Sequence, residues 1–395
     1  MDQYQLYKNT LSNESYPLAV LNLDLFYNNI QLNIQRSKDK KIRIASKSIR
    51  SIEILKLIQK ESDQFQGIMS YHAEEALFLS NAGFKDILIG YPVVDHRLIH
   101  KIGEGIKSGH SICLMIDSID HLALLQKEGE KSNVIFSVCI DIDLSIQFPG
   151  IYFGVKRSPI NNKEKLINLL SYLKKCNAIR LEGLMGYEAQ IAGLADNAKE
   201  YGLKNKIIQL LKKRSIPKLN NWRKEAVDLI KQEGFNLKFI NGGGTGSVDT
   251  TIEDPVVTEI TIGSGFFNSH LFDNYANFQL HPSLLFGIQI VRIPKKGTFT
   301  CHGGGFIASG GIEKLKAPKI HLPKGGELDK NEGAGEVQTP VIYNNDIDLE
   351  IGDPIFLRHA KSGELCERFN ELILIKDHKI SSKVATYRGQ GLSFG

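Results

Sequence analysis

Leu237-Lys238-Phe239-Ile240-Asn241-Gly242-Gly243-Gly244-Thr245-Gly246-Ser247 passes from an apolar, strand-like run directly into a glycine-rich turn. Glycines let a backbone approach an anion closely, and their amides form a concave set of donors to which Thr245 and Ser247 add hydroxyls. A second junction of this kind follows, an apolar run at 257–263 ending in Gly263-Ser264-Gly265, where Ser264 adds another hydroxyl. A glycine run alone is a weak signal, since turns use glycine too. Its place in the chain decides its meaning.

Outward from that stretch, the chain from Lys41 onward alternates short apolar runs with amphipathic ones. Strands are expected at 42–46, 68–71, 87–91, 112–116, 134–141, 181–187, 237–240 and 257–263. Between the first of them Ile49, Ile52, Leu55 and Ile58 recur every third residue, and Ala73, Ala76 and Leu77 keep an i, i+3, i+4 spacing, both helical patterns. Strands without strict alternation, separated by helices, indicate a parallel sheet buried on both faces. Eight such units within about 225 residues match a (β/α)8 TIM-type barrel, an α/β fold. In that architecture the chemistry sits at the C-terminal ends of the strands, and phosphate commonly binds after strands seven and eight. Both glycine turns fall there.

Ile44-Ala45-Ser46-Lys47-Ser48 places a lysine directly after strand one. A lysine entering the barrel mouth is expected to be poorly solvated, which favours the neutral, nucleophilic amine. Lys47 with the two glycine turns forms a constellation that points to a phosphate-bearing cofactor. The connection at 194–233 is helical throughout by pattern, except at Ser215-Ile216-Pro217, where proline is expected to break it into two helices.

After Asn268 helical periodicity fades and turn residues become dense, as in Gly303-Gly304-Gly305, Gly310-Gly311 and Pro323-Lys324-Gly325-Gly326. This reads as a β-domain. The early run 19–23 is expected to join its sheet. The organisation expected is thus an N-terminal segment, 1–23, a barrel, 24–267, and a C-terminal β-domain, 268–395.

Composition narrows the function classes. The 395 residues are 42% hydrophobic and 24% charged with a net charge of +5, an ordinary globular balance. Much of the positive excess lies in 199–238, which reads as a solvated basic helix face without the stacking or base-reading groups of a nucleic-acid site. Five scattered cysteines, three of them (Cys113, Cys139, Cys301) inside strand-like runs, argue for buried thiols in a reducing compartment rather than a disulfide framework. No run has the roughly 18 apolar residues of a membrane span, and the N-terminus lacks a signal-peptide pattern. A cytoplasmic protein with a small-molecule substrate is expected, with no nucleic-acid or membrane partner.

The order Ala45-Ser46-Lys47-Ser48, Gly243-Gly244-Thr245-Gly246-Ser247 and Thr258-Glu259-Ile260-Thr261-Ile262-Gly263-Ser264-Gly265 resembles the alanine racemase fold of pyridoxal-phosphate enzymes. Within it the chain is most similar to the branch of D-threonine aldolases, D-serine dehydratases and amino-acid deaminases. Gly352-Asp353-Pro354, Arg358-His359-Ala360 and Cys366-Glu367-Arg368-Phe369-Asn370 resemble that branch's terminal metal motif. The resemblance implies pyridoxal 5′-phosphate held as a Schiff base on Lys47, which also serves as acid–base on one ring face. It further implies that Gly243, Gly244, Thr245, Ser247, Gly263, Ser264 and Gly265 bind the phosphate, with Tyr187 packed near the cofactor. Arg157 is placed to bind a substrate carboxylate bidentately. A homodimer is implied as well.

Two departures bear on the reaction. Thr261 stands where racemases of this fold set an arginine against the pyridine nitrogen, which alters the ring's electron demand. His359 and Cys366 are seven residues apart, whereas the branch spaces its metal ligands by two. Imidazole and thiolate would suit zinc or another divalent cation. Racemases also draw a second base, a tyrosine, from early in the β-domain; here His302 occupies that region and is the candidate acid–base group. The reading that follows is a lyase acting on a small D-β-hydroxy amino acid, by aldol cleavage or deaminating dehydration. An amino-acid racemase and a non-catalytic pyridoxal-phosphate-binding protein are the alternatives.

Overall fold

The computed structural model describes residues 2–311 and 313–395; Met1, the first residue of the expected N-terminal segment, lies outside them. Eight parallel strands close into a barrel: Lys41–Ala45, Phe65–Ser70, Ile87–Pro92, Ile112–Ile116, Phe136–Ile142, Ile179–Gly186, Phe239–Gly242 and Glu259–Ile262. Each overlaps one of the eight runs read from the sequence. Closure sets Glu259–Ile262 against Lys41–Ala45, with Ile260 opposite Ile42 and Ile262 opposite Ile44. These isoleucines are fully buried beneath the surrounding helices.

The barrel interior is smaller and more polar than its wall. Leu88, Cys113, Met115, Cys139 and Met185 form an apolar cluster of their own, with Met69 and Phe239 against it. Beside it Arg43 lies 5.1 Å from the Phe239 ring centroid and is fully buried. Its guanidinium donates to Glu259 at 2.7 and 2.9 Å and to Asp86. Burial acts against this charge, and Glu259, then Asp86, more than offset it, holding the group above its ordinary range. A Cβ on Gly67 would meet Arg43 Nη1 at 2.5 Å, so glycine makes the room.

Nine of the remaining strands form one sheet. Leu18–Asn22 lies in its middle, antiparallel to Leu284–Lys295 and parallel to Glu371–Lys376. The N-terminal strand therefore does join the sheet built by the C-terminal third. A short antiparallel ribbon, Ile146–Phe148 with Ile151–Phe153, extends the loop after strand five and leads to Arg157. The sequence reading missed this ribbon, although Pro149-Gly150 between its strands is a turn signal.

The connection after strand six corrects the sequence reading. A four-residue helix, Ala189–Ala192, and a turn precede one uninterrupted 29-residue helix, Lys204–Gln232, which runs through Pro217. Proline removes one backbone donor and crowds the carbonyl four residues earlier. Here Pro217 and Lys213 both lie on the exposed face, where water can satisfy that carbonyl. Buried Lys212, Ser215, Leu219, Arg223 and Ala226 clamp the helix to the barrel on both sides of the proline. Packing thus overrides propensity. Pro217→Ala should stabilise the protein, by at most about 3 kcal/mol, seen as a higher denaturation midpoint with no change in activity.

Candidate active site

A cavity of about 670 Å³ opens at the C-terminal ends of the barrel strands and is bounded on its far side by residues of the sheet domain. Lys47 lines it from a single 3-10 turn, Ser46–Ser48, immediately after strand one. Its ammonium donates to the Tyr91 hydroxyl at 3.1 Å. The expectation of poor solvation is corrected: Lys47 is an exposed residue, because the protein around it leaves a cavity rather than a packed wall. Its backbone is fixed instead. Arg50 Nε donates to the Lys47 carbonyl at 3.2 Å, and a Cβ on Gly363 would sit 1.8 Å from that same oxygen.

Tyr91, at the end of strand three, was missed by the sequence reading, although the rule that barrel chemistry lies at strand ends would have found it. Burial alone raises its phenol, but Lys47 and then Arg157 outweigh burial and hold it below its ordinary value. Arg157 lines the cavity, exposed, 5.5 Å from the Tyr187 ring centroid. Tyr187 lines it as well, its phenol pushed up to about 12 by burial. Asp141, at the end of strand five, was not foreseen either. Burial, then the neighbouring Asp117, push its carboxyl up to about 8.

The glycine turns supply the opposite wall. Gly243, Gly244, Thr245, Gly263 and Ser264 all line the cavity. A Cβ on Gly263 would meet Ser48 Oγ at 2.8 Å and Ala45 Cβ at 2.9 Å, so the backbone there admits no side chain. Among the described residues, the amides of Thr245, Gly246 and Ser264 donate to no protein group. Such a concave set of spare donors beside two hydroxyls and a lysine fits the phosphate and aldehyde of pyridoxal 5′-phosphate. Two assigned residues act differently from expectation. Ser247 is 1% exposed and accepts from the Gly244 amide at 3.1 Å, while the Gly265 amide donates to Thr245 Oγ1 at 3.0 Å. Neither lines the cavity; both shape the turns that do.

The strand-seven turn is pinned by a residue the sequence reading overlooked. Glu188, 2% exposed, accepts from the Gly243 amide at 2.7 Å and from Thr251 Oγ1 at 2.8 Å. Arg223, fully buried on the long helix, donates to Glu188 at 2.8 Å and also pairs with Asp254. One carboxylate thus ties the loop bearing Tyr187 to the loop bearing the free amides.

Thr261 is 7% exposed and exchanges hydrogen bonds with Asn241, at 2.8 and 3.1 Å; both residues line the cavity. Asn241 in turn donates to Glu259 at 2.9 Å, linking Thr261 to the Arg43 network below. His302 is an exposed residue at the end of strand Thr298–His302, paired with Gln338 and Gln289, and does not line the cavity of its own chain. His359 and Cys366 are likewise engaged apart from each other. His359 Nε2 bonds Ser362 Oγ at 3.0 Å, whereas Cys366 packs in the apolar core, its thiol pushed up to about 12 by burial. Among the described residues no group of three or more histidine, cysteine or acidic side chains could hold a metal ion. The intervening turn, Ser362–Cys366, instead presents Lys361 and Glu364 to the cavity.

A strand-one lysine facing spare amides on strands seven and eight, in a barrel joined to a β-sheet, defines the pyridoxal-phosphate class of alanine racemase-like proteins. Residues 21–221, just over half the chain, match the family described as alanine racemase, N-terminal domain, and the chain belongs to that family. A 3-hydroxy-D-aspartate aldolase of Paracoccus denitrificans (strain Pd 1222) is 23% identical over 254 residues, 64% of this chain and 60% of that protein. The match therefore spans about three fifths of the relative's length. The D-threonine aldolase from Filomicrobium marinum superposes with a TM-score of 0.81 at 16% identity, covering 96% of both chains. For the D-threo-3-hydroxyaspartate dehydratase from Delftia sp. HT23 the TM-score is 0.77 at 17% identity, covering 95% of this chain and 98% of that one. At such identities the superpositions show the shared fold. Pyridoxal phosphate is the cofactor of this fold's aldolases and dehydratases, and the donor set here suits it.

Glu188→Gln should weaken cofactor binding at least tenfold and cost about 3 kcal/mol of stability, because one of the two oxygens that accept from Arg223, Thr251 and the Gly243 amide becomes an NH2 and leaves a buried donor unpaired. Spectroscopic titration with pyridoxal phosphate and chemical denaturation read the two effects. Asp141 gives a pH signature. Its folded value of about 8 lies above the ordinary 3.8, so the folded chain holds a proton that the unfolded chain releases, and stability falls as pH rises between them. Asp141→Asn should remove that fall, gaining on the parent from about pH 4 to pH 8, measured by thermal denaturation across that range.

Proposed function

We propose that the chain is a pyridoxal-phosphate lyase acting on a small D-β-hydroxy amino acid, by aldol cleavage or by deaminating dehydration. The observation that carries this reading is Lys47 at the barrel mouth sharing one cavity with the spare amides of Thr245 and Ser264. The aldolase and dehydratase likenesses support the substrate class. Lys47 would hold the cofactor's aldehyde carbon, and the strand-seven and strand-eight turns its phosphate. When bound, the cofactor supplies an electron sink for negative charge at the amino acid's Cα. Lys47 Nζ would be the group that moves a proton on its side of the site, with the Tyr91 hydroxyl as its neighbour. Thr261 offers a neutral hydroxyl where a charged partner would tune the ring more strongly.

The cavity's charge supports an anionic substrate. Lys47, Arg50, Arg157, Lys316 and Lys361 line it against Glu313 and Glu364. Arg50 pairs with Glu367 and Lys361 with Glu364, while Arg157, Lys316 and Lys47 have no ion pair among the described residues, and of these only Arg157 carries a planar fork that matches a carboxylate. Arg157 is thus the residue to take the substrate's carboxylate. A racemase needs a second base opposite Lys47, and the position of His302 outside the cavity deprives that reading of its candidate within one chain. A cytoplasmic setting fits five unpaired cysteines, and no helix among the described residues is long and apolar enough to cross a membrane. A homodimer is part of the proposal, supported by exposed Leu203, Ile207 and Leu210 on one helical face.

Purified protein should show a visible cofactor band that borohydride bleaches and that Lys47→Ala abolishes. D-Serine should yield pyruvate and ammonia, or D-threonine glycine and an aldehyde; 3-hydroxy-D-aspartate belongs in the same panel. Absence of every such product from the loaded enzyme would overturn the lyase reading.

A further inference from the structure

The turn after Arg358 is built into the active site more closely than any sequence motif required. Gly363 approaches the Lys47 carbonyl so tightly that no side chain fits between them, since a Cβ would lie 1.8 Å from the oxygen. Whatever flanks Gly363 therefore keeps a fixed place relative to the reactive lysine. The flanking charges are Lys361 and Glu364, and both line the same cavity as Lys47. Lys361 Nζ donates to Ser309 Oγ at 2.8 Å and to Glu364 Oε1 at 3.2 Å. Glu364 is itself held by the Ser309 amide at 2.8 Å and hydroxyl at 2.5 Å. The ammonium is thus tethered from two sides at the cavity wall.

This is the segment whose resemblance implies a divalent metal, and its donor set does not fit one. His359 is turned to Ser362, and Cys366 is 0% exposed in the apolar core. Glu364, the acidic side chain of this segment that reaches the cavity, is paired with Lys361, and Glu313, the other carboxylate on the cavity wall, comes from a different segment beside Tyr201. A metal would have to enter beside a fixed ammonium where the terminal turn leaves it no unpaired anionic ligand.

We propose that this site works without a resident metal, and that Lys361 is a catalytic residue that donates a hydrogen bond to the substrate's β-oxygen in the metal's stead. The proposal rests on the β-hydroxy amino acid reading above. It adds that selectivity for the β-oxygen comes from an ammonium on the turn carrying Gly363. An ammonium is a point donor that tolerates several oxygen positions, which suits a small hydroxylated side chain.

The test uses the loaded enzyme and reads binding as well as turnover. Elemental analysis and calorimetric titration with Mn²⁺ and Zn²⁺ should show no stoichiometric uptake, and a chelator should leave activity intact. Titrating D-serine and D-alanine against the visible cofactor band should show Lys361→Met weakening D-serine about tenfold or more, as for loss of a charged hydrogen bond. D-Alanine, which lacks the β-oxygen, should bind as before, and Lys361→Arg should recover part of the loss. One tightly bound metal ion per chain, with activity lost to chelator and restored by metal, would overturn the proposal. Equal weakening of both amino acids by Lys361→Met would overturn it too. Failure of the lyase reading looks different: no product forms, while the metal result and the ligand preference stand.

Discussion

A charge buried inside the barrel is the constraint from which the rest of this structure follows. Arg43 sits among Phe239, Glu259 and Asp86 with no access to water, and an unpaired guanidinium there would cost several kcal/mol. Its pairing commits Glu259 on strand eight, which in turn accepts from Asn241 on strand seven. Asn241 then fixes Thr261 at the cavity floor. Three strands are held in register by one polar chain, and its last member lines the cavity. The interior apolar cluster beside it is small because this network takes up the space.

A second buried charge performs the same service one layer higher. Arg223 comes from the long helix, not from the barrel, and draws Glu188 and Asp254 together without solvent. Glu188 spends its remaining lone pair on Gly243, so the loop with free amides is stretched between protein contacts and keeps its donors pointing into the cavity. Preorganised donors bind an anion without first giving up hydrogen bonds to their own protein. The helix must therefore run unbroken through Pro217, because Arg223 lies beyond it and must reach the barrel.

The sheet domain closes the site by backbone contact. Gly363 against the Lys47 carbonyl brings the last third of the chain within van der Waals range of Lys47. The N-terminal strand Leu18–Asn22 locks that arrangement, since it lies between Leu284–Lys295 and Glu371–Lys376 in the same sheet. Removing either end of the chain would loosen the wall that carries Lys361 and Glu364.

All eight barrel strands, Lys47 and both glycine turns were legible in the sequence, because each depends on local pattern: apolar runs of strand length, helical spacing between them, and glycine where backbone must approach an anion. The break expected at Pro217 was not real, since burial of Arg223 and its neighbours outweighs one missing donor. Ser247 and Gly265 were legible as members of the turns but not in their role, which hydrogen bonds across the loop decide. His302, His359 and Cys366 were singled out by position in the resemblance, the first as a base early in the β-domain and the other two in a terminal metal motif; the fold sets them at an exposed strand end, beside Ser362 and in an apolar surround. Tyr91, Glu188, Lys361 and Glu364 carry no motif of their own. Tyr91, Lys361 and Glu364 reach the cavity, and Glu188 the turn beside it, only when strands three and six and the terminal turn are folded around one axis. Sequence by itself determined which local elements form and where an anion can be held. Tertiary structure alone decided which side chains share the cavity with Lys47, because that depends on contacts between residues more than 300 positions apart.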